Sequence, residues 1–170
     1  MAEQARARVD LDPLRVPVRI PGRVINELCN HALEAQPEEC CGLVTGHAGE
    51  RFATVYRCHN EMSARHRSDP DAYPRDGTHG FVINEGDYLR AAQDAEGRGE
   101  QVTAVYHSHV GAGVYFSELD QEFADSAFFP FPEASHLVLA VWEQRVSGAG
   151  IFDRDPSSGH YVGALIEVGE

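Results

Sequence analysis

Residues 102–120 read VTAVYHSHVGAGVYFSELD, and the rest of the chain is best placed by working outward from them. Val102–His107 is a short apolar run rich in β-branched residues, which reads as a buried strand. In a strand alternate side chains share a face, so His107 and His109 point the same way with Ser108 opposed. A turn carrying Gly111 and Gly113 follows, and a helix is expected from Ser117 to about Ala127. One helical turn then brings Ser117 and Asp120 together beside the end of the strand. Two neutral imidazoles and a carboxylate make a three-ligand site with a fourth tetrahedral position free for water, the arrangement of catalytic zinc. The same donor set also suits iron(II). With nine histidines in the chain, an H-x-H pair alone is a weak signal. Taken by themselves, Ser117 and Asp120 read first as a helix N-terminus, with Ser capping the backbone and Asp at the positive end of the dipole. His31, His47, His59, His66, His79, His136 and His160 are read as surface or core residues without metal.

Upstream, residues 37–46 read PEECCGLVTG. Cys40–Thr45 is expected to be a buried strand, paired through HAGE with a strand near Phe52–Arg57. Adjacent Cys40 and Cys41 would face opposite sides of it, a poor disulfide framework, so the four cysteines are expected to be reduced. Before them, Val24, Ile25, Leu28, Ala32 and Leu33 repeat with helical spacing from Gly22 to about Ala35. Pro21 suits the first turn of that helix and Pro37 lies just beyond it. A short strand over Arg15–Ile20 is expected at a sheet edge because of Pro17. Residues 1–14 are polar and read as a flexible arm.

Residues 60–80 are polar and rich in Pro, Gly and Asp, and a connection of that length is expected to border a functional cleft. A brief strand at Phe81–Ile83 and a helix over Glu85–Glu96, closed by Gly97 and Gly99, come next. Strands are expected at His136–Trp142, Gly148–Asp153 and Tyr161–Val168. Phe128-Phe129-Pro130-Phe131-Pro132 is read as a folded loop, with an interface as the alternative. The sum is a single α+β domain over residues 15–170, with a mixed central sheet flanked by helices.

A chain of 170 residues that is 42% hydrophobic fits one domain with a real core. Its net charge of −13 argues against a nucleic-acid partner, which needs clustered cations. No stretch is long and apolar enough to span a membrane, and the N-terminus has no secretory core, so a cytoplasmic location is expected. A serine-hydrolase reading lacks the G-x-S-x-G elbow. A zinc-deaminase reading lacks the P-C-x-x-C pair and the H-x-E.

The whole pattern is a glutamate directly before Cys-Cys-Gly, then H-x-H, seven intervening residues and S-x-x-D. This resembles the JAMM signature of the MPN-plus zinc metallopeptidases, and in particular their bacterial stand-alone JAB-domain members. The likeness runs from about Val18 to Val168. It implies a single MPN domain with cytidine-deaminase-like layering, one Zn2+ per chain on His107, His109 and Asp120, and catalytic roles for Glu39 and Ser117. Within the Glu38-Glu39 pair, the family's spacing to the glycine selects Glu39 and leaves Glu38 facing solvent. Many members carry Pro after the second His, where this chain has Val110. The resemblance further implies hydrolysis of a peptide or isopeptide bond after the Gly-Gly tail of a ubiquitin-like β-grasp protein, here a ThiS- or MoaD-type sulfur carrier. An isopeptidase on ubiquitin-like conjugates and a non-catalytic MPN scaffold are the alternatives. A homodimer is compatible with all three.

Overall fold

A computed structural model describes residues 6–170. A seven-stranded mixed sheet is built from β2 (Val18–Pro21), β3 (Cys41–His47), β4 (Glu50–Cys58), β5 (Gln101–Val110), β7 (Ser135–Trp142), β8 (Arg145–Arg154) and β9 (Tyr161–Gly169). Their order across the sheet is β2-β9-β8-β7-β5-β3-β4. The β2/β9 and β5/β7 pairs are parallel and the others antiparallel. Pro17 precedes the edge strand β2, as its missing N–H requires. Among the described residues, no helix is long and apolar enough to cross a membrane.

Helix α1 (Gly22–Ala35) lies on one face of the sheet. Its buried stripe Val24, Leu28 and Ala32 packs with Cys40, Val44, Tyr106, Leu137 and Leu139. Full burial of a Val or Leu side chain is worth about 1.5–3 kcal/mol, so this stripe, more than helix propensity, anchors α1. Helix α3 (Glu85–Gly97) covers the other face, where Tyr88 and Ala91 meet Cys41, Leu43 and Val105. Cys40 and Cys41 thus enter opposite cores, and all four cysteines are free. Helix α4 (Glu118–Asp125) sits on the α3 side, its Ala124 packed with Phe116, Val138 and Phe152. The result is three layers, helix, sheet and helices.

Gly42 is required where β3 passes β5. A Cβ there would lie 2.5 Å from both the Tyr106 ring and the Tyr56 carbonyl oxygen. The close approach lets Tyr106 run under β3 to His31, whose Nδ1 is 2.6 Å from the phenolic oxygen.

Several elements differ from the sequence reading. Residues 1–5 of the expected arm lie outside the described residues, but the part after them is tied down. Strand β1 (Val9–Asp10) pairs with β6 (Tyr115–Phe116), and Asp12 N donates to Gly163 O at 2.9 Å. The cause is apolar: Val9 and Leu11 pack with Val114 against the Phe116 cluster. Pro21 ends β2 as the N-cap rather than opening the first turn of α1. The 60–80 segment is not all loop, since it carries α2 (Met62–Ser68). Phe81–Ile83 forms no strand, because Val82 spends its backbone groups on Asn60 Oδ1 and Glu61 N instead of on a neighbouring strand. The Phe128–Pro132 stretch is a folded loop, with Phe129 buried and Phe131 packed against the α3 core, while Phe128 is exposed.

Candidate metal centre

β5 presents His107 and His109 on one face, and their Nε2 atoms lie 3.2 Å apart. The Asp120 carboxylate closes the triangle. Oδ1 is 3.2 Å from His107 Nε2 and Oδ2 is 3.3 Å from His109 Nε2. All three side chains are buried. One ligand atom from each of the three side chains lies within 4.8 Å of the other two, close enough for all three to serve a single ion. His109 Nδ1 donates to Gly113 O at 3.0 Å, which leaves the Nε2 lone pair directed into the triangle. The acceptor comes from the turn after β5, where Gly111 takes a φ of 72°. His107 is stacked on Phe81 at 4.6 Å. The donor set and its spacing therefore fit a small divalent cation.

The helix-cap and ligand readings of Ser117 and Asp120 turn out to be one geometry. Ser117 Oγ accepts from Asp120 N at 3.0 Å, and Asp120 Oδ2 accepts from Ser117 N at 2.9 Å, a complete capping box. The box orients the carboxylate, whose remaining lone pairs face the imidazoles. Burial alone would raise the Asp120 pKa, but the charges and hydrogen bonds of His107 and His109 hold it well below the usual carboxylate range. Burial likewise works against a charged His109, yet Asp120 raises its pKa on balance.

Glu39 arrives from the neighbouring strand. β3 and β5 run antiparallel with Cys41 across from His107, and Ser108 N donates to Cys40 O. Two residues further back, the same register sets Glu39 across from His109. Ser108, on the opposite face, accepts the Cys40 N–H at 2.8 Å and locks this crossing. Burial pushes the Glu39 carboxyl up from 4.5 to about 8, with His109 opposing and Asp120 adding to the rise.

The metal triangle opens into a cleft of 430 Å3. Glu39, Ser117 and Asp120 line it together with Val110, Tyr115 and Phe123. All five side chains singled out from the sequence thus meet in one place. Val110, the departure from the proline pattern, is the last residue of β5, still in register with Val141, and forms cleft wall.

The 60–80 segment borders the cleft through Met62, Arg75, Thr78, His79 and Gly80. Its anchor is Glu38, which does not face solvent as expected from the sequence. The Glu38 carboxylate accepts from Ser63 Oγ, which in turn accepts Gly77 N at 2.9 Å. Gly77 O accepts Glu39 N at 2.7 Å, and Asn60 Nδ2 donates to both Glu39 O and Gly80 O at 3.0 Å. A Cβ on Gly77 would meet the Glu38 carboxyl at 2.8 Å. Asn60 and Glu38 carried no readable signal, since these partners lie 20 or more residues away. Glu38→Ala is expected to leave metal content unchanged while raising backbone hydrogen exchange across residues 60–80 at least several-fold. Exchange as slow as in the parent chain would show that the clip is not what orders the segment.

The pattern of prokaryotic homologs of the JAB domain matches residues 21–148. No curated protein sequence matches the chain. Among solved structures, a protein of Desulfitobacterium hafniense is similar at 21% identity and a TM-score of 0.65, over 90% of this chain and 93% of that one. A protein of Salinibacter ruber is similar at 19% identity and a TM-score of 0.58, over 90% and 92%. These two likenesses concern the fold. The family match spans most of the chain, strands β3 and β5 and the helix start with Asp120 included, and the chain belongs to the prokaryotic JAB-domain family.

Proposed function

We propose that the chain is a zinc metallopeptidase that hydrolyses a peptide or isopeptide bond after the Gly-Gly tail of a ubiquitin-like sulfur-carrier protein. The observation that supports it is the His107–His109–Asp120 triangle, open on one side to a cleft that also holds Glu39 and Ser117. The chemistry a zinc ion supplies when bound there is Lewis acidity toward water and toward a carbonyl oxygen.

The protein groups do the rest. Glu39 takes the proton from the attacking water and delivers it to the leaving amine, a role worth about 10²–10⁴-fold in rate. A carboxyl with a pKa raised by burial is suited to both halves of that transfer. Ser117 Oγ has one lone pair occupied by Asp120 N–H, so its hydroxyl proton is free to donate to the developing oxyanion. Phe81, Tyr115 and Phe123 form apolar walls that thin out competing solvent. A Gly-Gly tail is narrow and extended, so its backbone can approach the triangle with no side chain in the way.

The test is incubation of the zinc-loaded protein with β-grasp carriers extended past Gly-Gly, read by intact mass. A product ending at Gly-Gly, absent with a chelator present, is the expected result. Well under one zinc per chain after expression in zinc-supplemented medium, together with no change in a His107→Ala, His109→Ala double variant, would instead favour a non-catalytic scaffold. A site filled by iron would overturn the zinc assignment alone.

A further inference from the structure

Arg75 is the single arginine in the cleft wall among the described residues, in a chain whose net charge is −13. Most of the chain's arginines are in ion pairs. Arg75, among the described residues, makes neither an ion pair nor a side-chain hydrogen bond, and it is exposed. Its backbone is nevertheless fixed. Tyr73, two residues before, is held by Arg65 and His66. Asp76 accepts from Thr78 N at 2.9 Å, and Gly77 is the residue clipped to Ser63 and Glu39. A free guanidinium on a pinned segment is a pre-organised donor for a carboxylate.

The side of the cleft that Arg75 occupies decides which end of the substrate it meets. The 60–80 segment is hydrogen-bonded to the Glu39 backbone, and the Arg75 charge reaches the Glu39 carboxyl. Glu39 is the group that protonates the leaving amine. Ser117, across the triangle, attends the acyl oxygen. A leaving group departing past Glu39 therefore emerges beside Arg75, whereas the Gly-Gly acyl part lies on the Ser117 side.

We infer that Arg75 is a specificity-determining residue that selects leaving groups carrying a carboxylate within the first residues after the scissile bond. This rests on the peptidase reading above and deepens it. The protein would then act as a trimming enzyme for short acidic or carboxy-terminal extensions, rather than as one indifferent to the residues beyond Gly-Gly. The carboxylate is either the chain terminus or an acidic side chain, and the two differ in their test.

The experiment uses the zinc-loaded protein and one β-grasp carrier ending in Gly-Gly-Ala as free acid, Gly-Gly-Ala amide or Gly-Gly-Asp amide. Expected is a kcat/KM about three- to fivefold higher for at least one carboxylate-bearing form than for the Ala amide, as a salt link to an exposed guanidinium permits. Arg75→Gln should erase the preference, bringing the carboxylate-bearing forms down to the level of the Ala amide measured in the same variant, and Arg75→Lys should restore part of it. The same order should appear in Kd for the Glu39→Gln protein by calorimetry, independent of turnover. A preference for the free acid alone identifies the terminus as the source, and one for the Asp amide alone the side chain. Equal cleavage of all three forms overturns the role of Arg75 and leaves the peptidase reading standing, as does an equal loss on all three in Arg75→Gln. No cleavage of any form overturns both.

Discussion

Glu39→Gln is expected to lower turnover of a Gly-Gly-extended carrier by about 10²–10⁴-fold while zinc content stays at one per chain, because the glutamine keeps the volume but can neither take nor give the proton. Glu39 is no member of the metal triangle, so activity and metal content should separate in this variant. Their joint loss would place Glu39 among the ligands and remove it as the proton carrier. A second readout comes from the metal-free protein. Folded Glu39 holds its proton up to about pH 8, whereas the unfolded chain releases it near the ordinary 4.5. Between those values the folded state binds more protons than the unfolded one, so stability falls as pH rises. The raised His109 acts in the same direction, its contribution being lost as pH rises through its folded pKa. The change in melting temperature from pH 5.5 to 8 with chelator present should therefore be more negative in the parent than in Glu39→Gln. Identical slopes would show that the carboxyl is not desolvated. A bound dication opposes the rise by favouring the ionised form, so added zinc should flatten the parent profile.

Asp120 is expected to give the largest combined loss, because one carboxylate serves the helix cap and the metal triangle together. Asp120→Ala removes the acceptor for Ser117 N and leaves two buried imidazoles without their partner. A lost cap costs about 0.5–2 kcal/mol, and a buried polar group left unpaired about 1–3 kcal/mol. Asp120→Asn separates the two roles. Its amide oxygen can still cap Ser117 N, but it supplies no anionic ligand. Zinc content should fall well below one per chain in both variants, while the chemical-denaturation midpoint of the metal-free protein drops mainly in Asp120→Ala. Full zinc retention in Asp120→Asn would show that the anion is dispensable for the site.

The fold and the candidate site were legible to different depths. Alternation in Tyr106–Val110 placed both imidazoles on one face, and the helical spacing of Val24, Leu28 and Ala32 placed α1, because each rests on a local period. The 60–80 segment was recognisable as a cleft border only from its length and polarity, and nothing local revealed α2 or the Glu38–Ser63–Gly77 clip. The short β1 was hidden because Val9 and Leu11 are isolated apolar residues whose partners, Val114 and Phe116, lie about a hundred positions away.

What the amino-acid sequence determined by itself is the donor set and its direction: two imidazoles two residues apart on a strand, a capped carboxylate one helical turn in, and a glutamate before Cys-Cys-Gly. What only the tertiary structure decided is which of these groups meet. The antiparallel register of β3 on β5 brings Glu39 across from His109, 70 positions later in the chain, and the same pairing turns Glu38 toward Ser63 instead of solvent. The reason is physical. The period of a strand or helix depends on neighbouring residues alone, and so it can be read locally. Register and partner choice depend on which apolar faces can be buried together at long range, and the close packing of Gly42 on Tyr106 is set only when both strands are in place.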